Sequence, residues 1–463
     1  MPVTGSRAPR LAVVGLGKLG SPMAAVFAAK GFDVVGLDVS REYVDALNAG
    51  RAPVEEPRLQ ELIDTSRTRL RATTSYEEAV EASDISFVIV PTPSGHDHFF
   101  INDYVIDAVR RIGQVLRKTD KDYLVVVTST VMPGSTAGVI RQALEESSGR
   151  VVGQNVGLCY SPEFIALGSV VRDLLNPDMV LIGECSTKYG DRLEAVYRAS
   201  TESRPAVHRM AFVNAEICKI AVNTFVTTKI SYANMLADVC DHLEGADVDV
   251  LTAALGADTR IGAKYLKGGV AYGGPCFPRD NKAFAAMARM LGVPCGIADA
   301  TDQINDYQVQ RLLGAVAAVA SPGARVAVLG LSYKPDTGVF EKSQGLALVR
   351  ALAADGYEVV VADPLAAGGA ATALGADVEI APDFEAATAS ADLAVVTTPW
   401  PAIRNIPASA FSRPNGPIPV IDPWGHLKDT PLASSARLIL LGRRGSVAPV
   451  VPAAVLAETQ PRR

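Results

Sequence analysis

The chain has 463 residues, 48% of them apolar and 20% charged, with a formal net charge of −6. That length holds two or three domains with sizeable cores, and the balance is that of an ordinary globular protein. The acidic sign excludes a general basic face for nucleic acid or anionic lipid, so an anionic ligand has to be held by local arginines, lysines and helix N-termini.

The first pattern is a short apolar strand, Leu11-Ala12-Val13-Val14, followed by Gly15-Leu16-Gly17-Lys18-Leu19-Gly20 and a helical stretch over 23–30. A second strand over 33–37 ends at Asp38. Strand, GxGxxG, helix, strand and acid together form the dinucleotide-binding fingerprint. Gly15 makes the turn, Gly17 admits the pyrophosphate to the backbone, Gly20 lets helix and strand pack closely, and the helix N-terminus faces the phosphates. Asp38 would accept hydrogen bonds from the adenosine ribose hydroxyls, favouring NAD over NADP, although Arg41 stands close by. Strands expected over 85–90 and 124–127 run into Pro91-Thr92-Pro93 and Ser129-Thr130-Val131-Met132-Pro133-Gly134. Loops after strand C-termini line the ligand crevice of a parallel sheet, so Thr92 and Thr130 are candidate cofactor contacts.

A long helical pattern runs from Asn214 to about residue 243 and carries Lys219 and Asn223 one turn apart among apolar neighbours. Such a lysine either snorkels to water or is held in a pocket for a purpose. Next comes Ala271-Tyr272-Gly273-Gly274-Pro275-Cys276-Phe277-Pro278-Arg279-Asp280, where glycines and prolines frame one cysteine. It is either a mount for a reactive thiol or a tight turn around an inert one. Helices are expected over 281–291 and 298–319, and Ser321-Pro322-Gly323 reads as a boundary. A second α/β unit follows, with strands over 325–331, 358–361, 393–397 and 419–422 and a helix over 345–354. It lacks a full GxGxxG, which points to a ligand other than a dinucleotide. Residues 457–463 read as a frayed tail. The six cysteines (159, 185, 218, 240, 276 and 295) show neither metal-type spacing nor a disulfide framework. They read as reduced thiols, with no metal expected. Residues 1–10 lack the apolar core of a signal peptide and no apolar run is long enough to span a bilayer, so a cytoplasmic location is expected.

Assembled, these blocks resemble the nucleotide-sugar 6-dehydrogenases, the family of UDP-glucose and GDP-mannose dehydrogenases. The resemblance rests on the glycine fingerprint, Ser161-Pro162-Glu163-Phe164, Lys219 with Asn223, Arg260-Ile261-Gly262, the Cys276 block, and Leu331-Ser332-Tyr333-Lys334-Pro335-Asp336-Thr337. It implies two Rossmann-like, doubly wound α/β domains joined by a central helical dimerisation domain. The expected division is 1–205 for NAD, 206–321 for dimerisation and catalysis, and 322–463 for the nucleotide sugar. It further implies four-electron oxidation of the sugar C6 alcohol to a carboxylate with two NAD and one water, in a homodimer or larger assembly.

By the same resemblance, Cys276 attacks the aldehyde and carries a thioester, while Lys219 and Asn223 stabilise negative charge on the reacting oxygen. Glu163 is the base for hydrolysis, Asp280 orders water and Lys219, and Thr130 stands near that water. Glu163, Phe164, Lys219 and Asn223 also fall on the substrate, joined by Lys267, Tyr272 and Gly273 of a sugar-wrapping loop and by Tyr333 and Lys334 at the diphosphate. Arg260 matches an arginine that reaches the sugar of the neighbouring subunit. Leu167 replaces a frequent glutamate, Arg279 a frequent lysine, Glu341-Lys342-Ser343 the usual Arg-Glu-Ser, and Asp422-Pro423-Trp424-Gly425-His426 an Asp-Gly-Arg motif. Since the catalytic types are kept while ligand-facing ones change, altered substrate preference is the expectation. UDP-glucose leads, with dTDP-glucose, GDP-mannose and UDP-N-acetylmannosamine open. A two-electron hydroxyacid-type dehydrogenase needs no nucleophilic cysteine, and a non-catalytic NAD-binding scaffold needs none of Cys276, Lys219 and Glu163.

Overall fold

Every residue of β1 (Leu11–Val14) is buried, and its alternation sends Leu11 and Val13 into one hydrophobic layer and Ala12 and Val14 into another. A strand covered on both faces has to be apolar throughout, which is why these runs show no polar alternation. β1 is one of eight strands in the first of two compact units, residues 1–221 and 222–463, of a computed structural model that describes residues 8–375 and 378–443. The tail expected over 457–463 lies outside the described residues.

The other strands of the first unit are β2 (Val34–Leu37), β3 (Leu70–Thr73), β4 (Ile85–Val88), β5 (Tyr123–Val127), β6 (Val156–Tyr160), β7 (Met179–Glu184) and β8 (Ala206–Met210). Their order is β3-β2-β1-β4-β5-β6-β7-β8. The first six are parallel, β6 and β7 pair antiparallel, and β7 and β8 pair parallel. The order reverses between β1 and β4, which opens a crevice at the strand C-termini where Gly15 and Ile89 lie side by side. β8 extends this sheet past residue 205, where the expected domain boundary was drawn, because its edge pairs with β7 in register Met179↔Ala206 through Gly183↔Met210.

The helix Phe212–Asp241 leaves the first unit and carries Lys219 and Asn223 one turn apart. Within the second unit the helix Phe277–Met290 begins four residues earlier than the sequence pattern suggested. The reason is Pro278: proline reads as a breaker, yet in a first turn its missing N–H costs nothing. Cys276 therefore stands at the N-cap of a 14-residue helix, not in a free loop.

The second sheet comprises β9 (Arg325–Leu329), β10 (Glu358–Ala362), β11 (Glu379–Ile380), β12 (Leu393–Val396) and, after a short antiparallel pair β13 (Ser412–Arg413) and β14 (Gly416–Pro417), β15 (Pro419–Asp422) and β16 (Arg437–Leu440). Its order, β11-β10-β9-β12-β15-β16, is wholly parallel and repeats the doubly wound pattern, with its own reversal between β9 and β12. Val326 and Val328 of β9 face one core layer, Ala327 and Leu329 the other. The fold is thus α/β with two Rossmann-like sheets and a helical stretch between them.

Candidate active site

The glycine loop is built as its spacing requires. Gly15 has φ +99°, and a Cβ there would lie 2.4 Å from the Ile89 carbonyl oxygen. A Cβ on Gly20 would fall 1.7 Å from the Gly15 carbonyl oxygen, so helix Gly20–Ala29 can approach β1 only through glycine. Gly17 differs: a Cβ there would meet nothing within 4 Å. Among the described residues no atom accounts for a glycine there, and the open space leaves the backbone accessible to a ligand. Leu19, the N-cap, gives its helix no side-chain cap, which leaves the helix amides for an anion. Asp38 at the end of β2 accepts from the Leu16 N–H at 2.6 Å and from Ser40 N–H at 2.8 Å, placing its carboxylate beside the loop. These residues fit NAD.

Thr92 is buried and donates to the Thr130 carbonyl at 2.7 Å. Ser129 Oγ donates to Val90 O at 2.7 Å and accepts from Val90 N–H at 2.8 Å, so two hydroxyls knit together the loops after β4 and β5. Thr92 therefore fastens Thr130. Glu216, fully buried, completes this loop by accepting from the Gly134 and Thr136 N–H groups at 2.6 and 2.8 Å. Neither Ser129 nor Glu216 stood out in the sequence; a buried acid inside a helical pattern was the available signal.

The segment after β6 holds Glu163 and Phe164. Lys219, which is 9% exposed, donates from Nζ to the Glu163 main-chain oxygen at 2.8 Å and lies 4.7 Å from the centre of the Phe164 ring. Lys219 is therefore buried and does not snorkel to solvent. Glu163 Oε1 accepts from the Tyr197 hydroxyl at 3.2 Å. Burial pushes the Glu163 carboxyl up to about 7, against the opposing pull of Tyr197 and Lys219. A carboxyl poised there exchanges a proton with water at neutral pH. Leu167, in place of the frequent glutamate, packs on the core.

In the second unit, Cys276 is exposed at the N-terminus of helix Phe277–Met290, whose dipole favours negative charge on the sulfur. No disulfide joins any of the six cysteines. The turn before it is tightly backed: a Cβ on Gly273 would lie 2.4 Å from Lys342 O, and one on Gly274, at φ +81°, would lie 2.8 Å from the Tyr333 ring. Gly274 N–H donates to Glu341 O at 3.0 Å. Glu341 and Lys342, whose charge order departs from the family pattern, thus serve the cysteine turn through their main chain, and Ser343 caps the helix Gln344–Ala354 by accepting from Leu346 N–H. Burial first, then the adjacent Cys276, push the Tyr333 phenol up, and Lys334 Nζ lies 6.0 Å from the Tyr333 ring centre. Asn223 Nδ2 donates to Asp280 Oδ2 at 2.6 Å, and Arg279 Nε to its Oδ1 at 3.1 Å, so the buried Asp280 orients the asparagine amide.

The loop over 267–273 is suspended from two buried asparagines. Asn234 donates to Val270 O at 2.9 Å and accepts from Gly269 N–H at 2.9 Å. Asn305 accepts from Tyr272 N–H at 2.8 Å and donates to Tyr272 O at 3.1 Å. Each amide side chain mimics a strand partner for a loop that has none. Tyr272 is buried with its hydroxyl on Asp302 at 2.6 Å, which makes its side chain an anchor of this loop, while Lys267 is exposed. A Cβ on Gly269 would sit 2.4 Å from Trp424, so the tryptophan standing where an Asp-Gly-Arg motif is usual packs directly on the loop. Arg260, its side chain 87% exposed, pairs with Asp258 beyond helix Val248–Ala257.

The second sheet reuses the first sheet's joint. A Cβ on Gly345 would lie 2.2 Å from Gly330 O, the counterpart of Gly20 against Gly15, and Gly330 has φ +113°. Between the paired glycines the first unit has four residues and the second fourteen, including Tyr333 and Lys334. Asp363, just past β10 as Asp38 is past β2, accepts from Leu331, Ser332, Leu365 and Ala366 N–H groups, the Ser332 hydroxyl and Trp400 Nε1. Its carboxylate has no capacity left for a ribose.

Three family models match in succession. The NAD binding domain of the UDP-glucose/GDP-mannose dehydrogenase family matches residues 9–201, its central domain 213–307 and its UDP binding domain 327–429. The UDP-glucose 6-dehydrogenase AglM of Haloferax volcanii is 37% identical over 394 residues, 84% of this chain and 91% of that one. A GDP-mannose 6-dehydrogenase of Pseudomonas putida is 33% identical over 361 residues, 76% of this chain and 80% of its own. The structure of a UDP-glucose dehydrogenase from the archaeon Pyrobaculum islandicum superposes with a TM-score of 0.85 at 33% identity, covering 96% of this chain and 99% of that one.

Proposed function

The chain belongs to the UDP-glucose/GDP-mannose dehydrogenase family, and from that premise we propose that this NAD-dependent nucleotide-sugar 6-dehydrogenase converts UDP-glucose to UDP-glucuronate through a thioester on Cys276. The observation that carries the covalent step is the exposed sulfur at a helix N-terminus, preceded by two glycines where a Cβ would strike Lys342 O and the Tyr333 ring. UDP-glucose is supported by the UDP binding domain and by relatives that carry that substrate in their names.

Bound NAD supplies the hydride acceptor for both oxidations. The chain's residues do the rest. The alcohol at C6 gives up its proton and a hydride to become an aldehyde, while the Lys219 ammonium and the Asn223 amide stabilise negative charge on its oxygen. The Cys276 sulfur adds to that carbonyl carbon to form a thiohemiacetal, and loss of a second hydride and the hydroxyl proton leaves a thioester. Glu163 takes a proton from water, which attacks the thioester; the C–S bond breaks and the thiolate departs. Asp280 holds Asn223 in register, and Thr130 lines the water's approach. Phe164, Lys267, Tyr272, Gly273, Tyr333 and Lys334 hold the nucleotide sugar, and Gly15 to Gly20 with Asp38 and Thr92 hold NAD. The proposed domains are NAD-binding over 1–205, carried on through β8 to Met210, then helical up to 321 and nucleotide-sugar-binding over 322–463.

The working unit is a homodimer in the cytoplasm. Phe225, Tyr232 and Val239 recur every seventh residue on helix Phe212–Asp241 and are 67%, 46% and 48% exposed, an apolar stripe of the kind that pairs with a second copy. Among the described residues no helix is long and apolar enough to cross a membrane.

The test is the NADH formed per nucleotide sugar consumed, with NAD in excess, for UDP-glucose, dTDP-glucose, GDP-mannose and UDP-N-acetylmannosamine. About two NADH per sugar, fastest with UDP-glucose, is the expected result. About one would end the thioester mechanism, and a faster rate on another sugar would replace the substrate.

A further inference from the structure

Four oxygens stand in a row that begins at Glu163. Glu163 Oε1 lies 3.2 Å from the Tyr197 hydroxyl, which lies 2.8 Å from Ser161 Oγ, which lies 2.8 Å from the main-chain oxygen of Leu181. Ser161, Tyr197 and Leu181 are buried, at 1%, 5% and 1% exposure. Helix Gly20–Ala29 covers the row with Met23, Val26 and Phe27, and helix Val170–Leu175 with Leu174. Of the other elements against it, helix Phe212–Asp241 presents Lys219, bonded to the Glu163 main chain, and β6 presents the Cys159 thiol near Tyr197.

The proton count across this row depends on Glu163. Each of the three links needs one hydrogen, and Tyr197 and Ser161 bring one each. With Glu163 protonated there is a third. All links are then filled and point one way: carboxyl to Tyr197, Tyr197 to Ser161, Ser161 to Leu181 O. With Glu163 ionised only two remain. Tyr197 turns its hydrogen to the carboxylate, a charge-assisted bond, and Ser161 is left one hydrogen for two acceptors. Burial and the nearby Glu163 charge push the Tyr197 phenol well up, so it stays protonated in both states.

We propose that Tyr197 and Ser161 are positioning residues, a reversible hydroxyl chain that turns with each proton Glu163 gains or loses and so fixes the pH at which Glu163 becomes a base. This rests on the reading of Glu163 as the hydrolytic base. The two hydroxyls act with opposite sign. Removing the Tyr197 hydroxyl deprives the ionised carboxylate of its charge-assisted donor. Removing the Ser161 hydroxyl strands the Tyr197 hydrogen only when Glu163 is protonated, and an unsatisfied buried donor disfavours that state.

The experiment titrates the Glu163 carboxyl by infrared difference spectroscopy, using Glu163→Gln to identify its band, in wild type, Tyr197→Phe and Ser161→Ala. The pH dependence of kcat and the melting temperature are followed in parallel. Tyr197→Phe should raise the carboxyl midpoint and the acid limb of kcat by about one pH unit, and Ser161→Ala should lower both by about half a unit. Midpoints that stay in place, or move the same way in the two folded variants, overturn the chain. If both midpoints move as expected while the acid limb of kcat stays put, the chain stands and Glu163 loses its role as the base.

Discussion

A side chain at Gly17 would enter open space, whereas one at Gly20 would strike the carbonyl of Gly15. Gly17→Val should therefore fold with a melting temperature near wild type while its Kd for NAD rises at least about tenfold, or 1.4 kcal/mol, by calorimetry. Gly20→Ala should lose about 1–3 kcal/mol of stability by denaturant unfolding, because the overlap is with backbone that cannot rotate away. Cys276→Ala should form no carboxylate and keep its NAD affinity, read by product analysis and cofactor titration. The Glu163 carboxyl, pushed up from its ordinary 4.5 to about 7, sets a pH dependence whose sign is fixed. The base must be ionised, so hydrolysis should fall about tenfold for each pH unit below 7. Stability runs the other way: the folded protein holds this proton more tightly than the unfolded chain between pH 4.5 and 7. Wild type should thus lose stability relative to Glu163→Gln as pH rises through that window.

Among elements, the substrate loop depends on residues far from it in sequence. Asn305→Ala leaves the main chain of Tyr272 without its two bonds. The expected outcome is a KM for the nucleotide sugar raised about tenfold with the NAD affinity unchanged, at a cost of about 1–3 kcal/mol in unfolding free energy. Such anchors are hard to read in a sequence, since an asparagine in a helical pattern carries no mark of the backbone it will meet. Local signals fared better where they were complete. Gly15, Gly17, Gly20 and Asp38 form one contiguous fingerprint, and the turn around Cys276 shows its glycines and prolines openly. The first turn of the helix after Cys276 is masked in the sequence by Pro278, which reads as a breaker. The strands β6, β7 and β8 were not read because their pairing, antiparallel between β6 and β7, is a tertiary fact.

At the scale of the whole molecule, the exposed Arg260 makes a test of assembly. If Arg260 completes the partner's site, Arg260→Ala and Cys276→Ala are each inactive. Subunit exchange between them should then restore about a quarter of wild-type activity, since half the dimers are mixed and each holds one intact site. No recovery in exchanged dimers would place Arg260 in its own subunit's site. Phe225→Glu should shift the sedimentation coefficient toward that of a monomer. The doubly wound plan of both halves was legible in the strand–helix alternation, but the shared glycine joint of the second half was not, since fourteen residues separate Gly330 from Gly345 where the fingerprint has four between Gly15 and Gly20. That joint bears on redesign. Shortening the insert would not by itself turn the second half into another coenzyme carrier, because Trp400, Leu365 and Ala366 would still occupy three of the roughly four acceptor positions on Asp363. Loop length and the hydrogen bonds already on Asp363 together set the second half apart from the first, and a chimera has to change both at once.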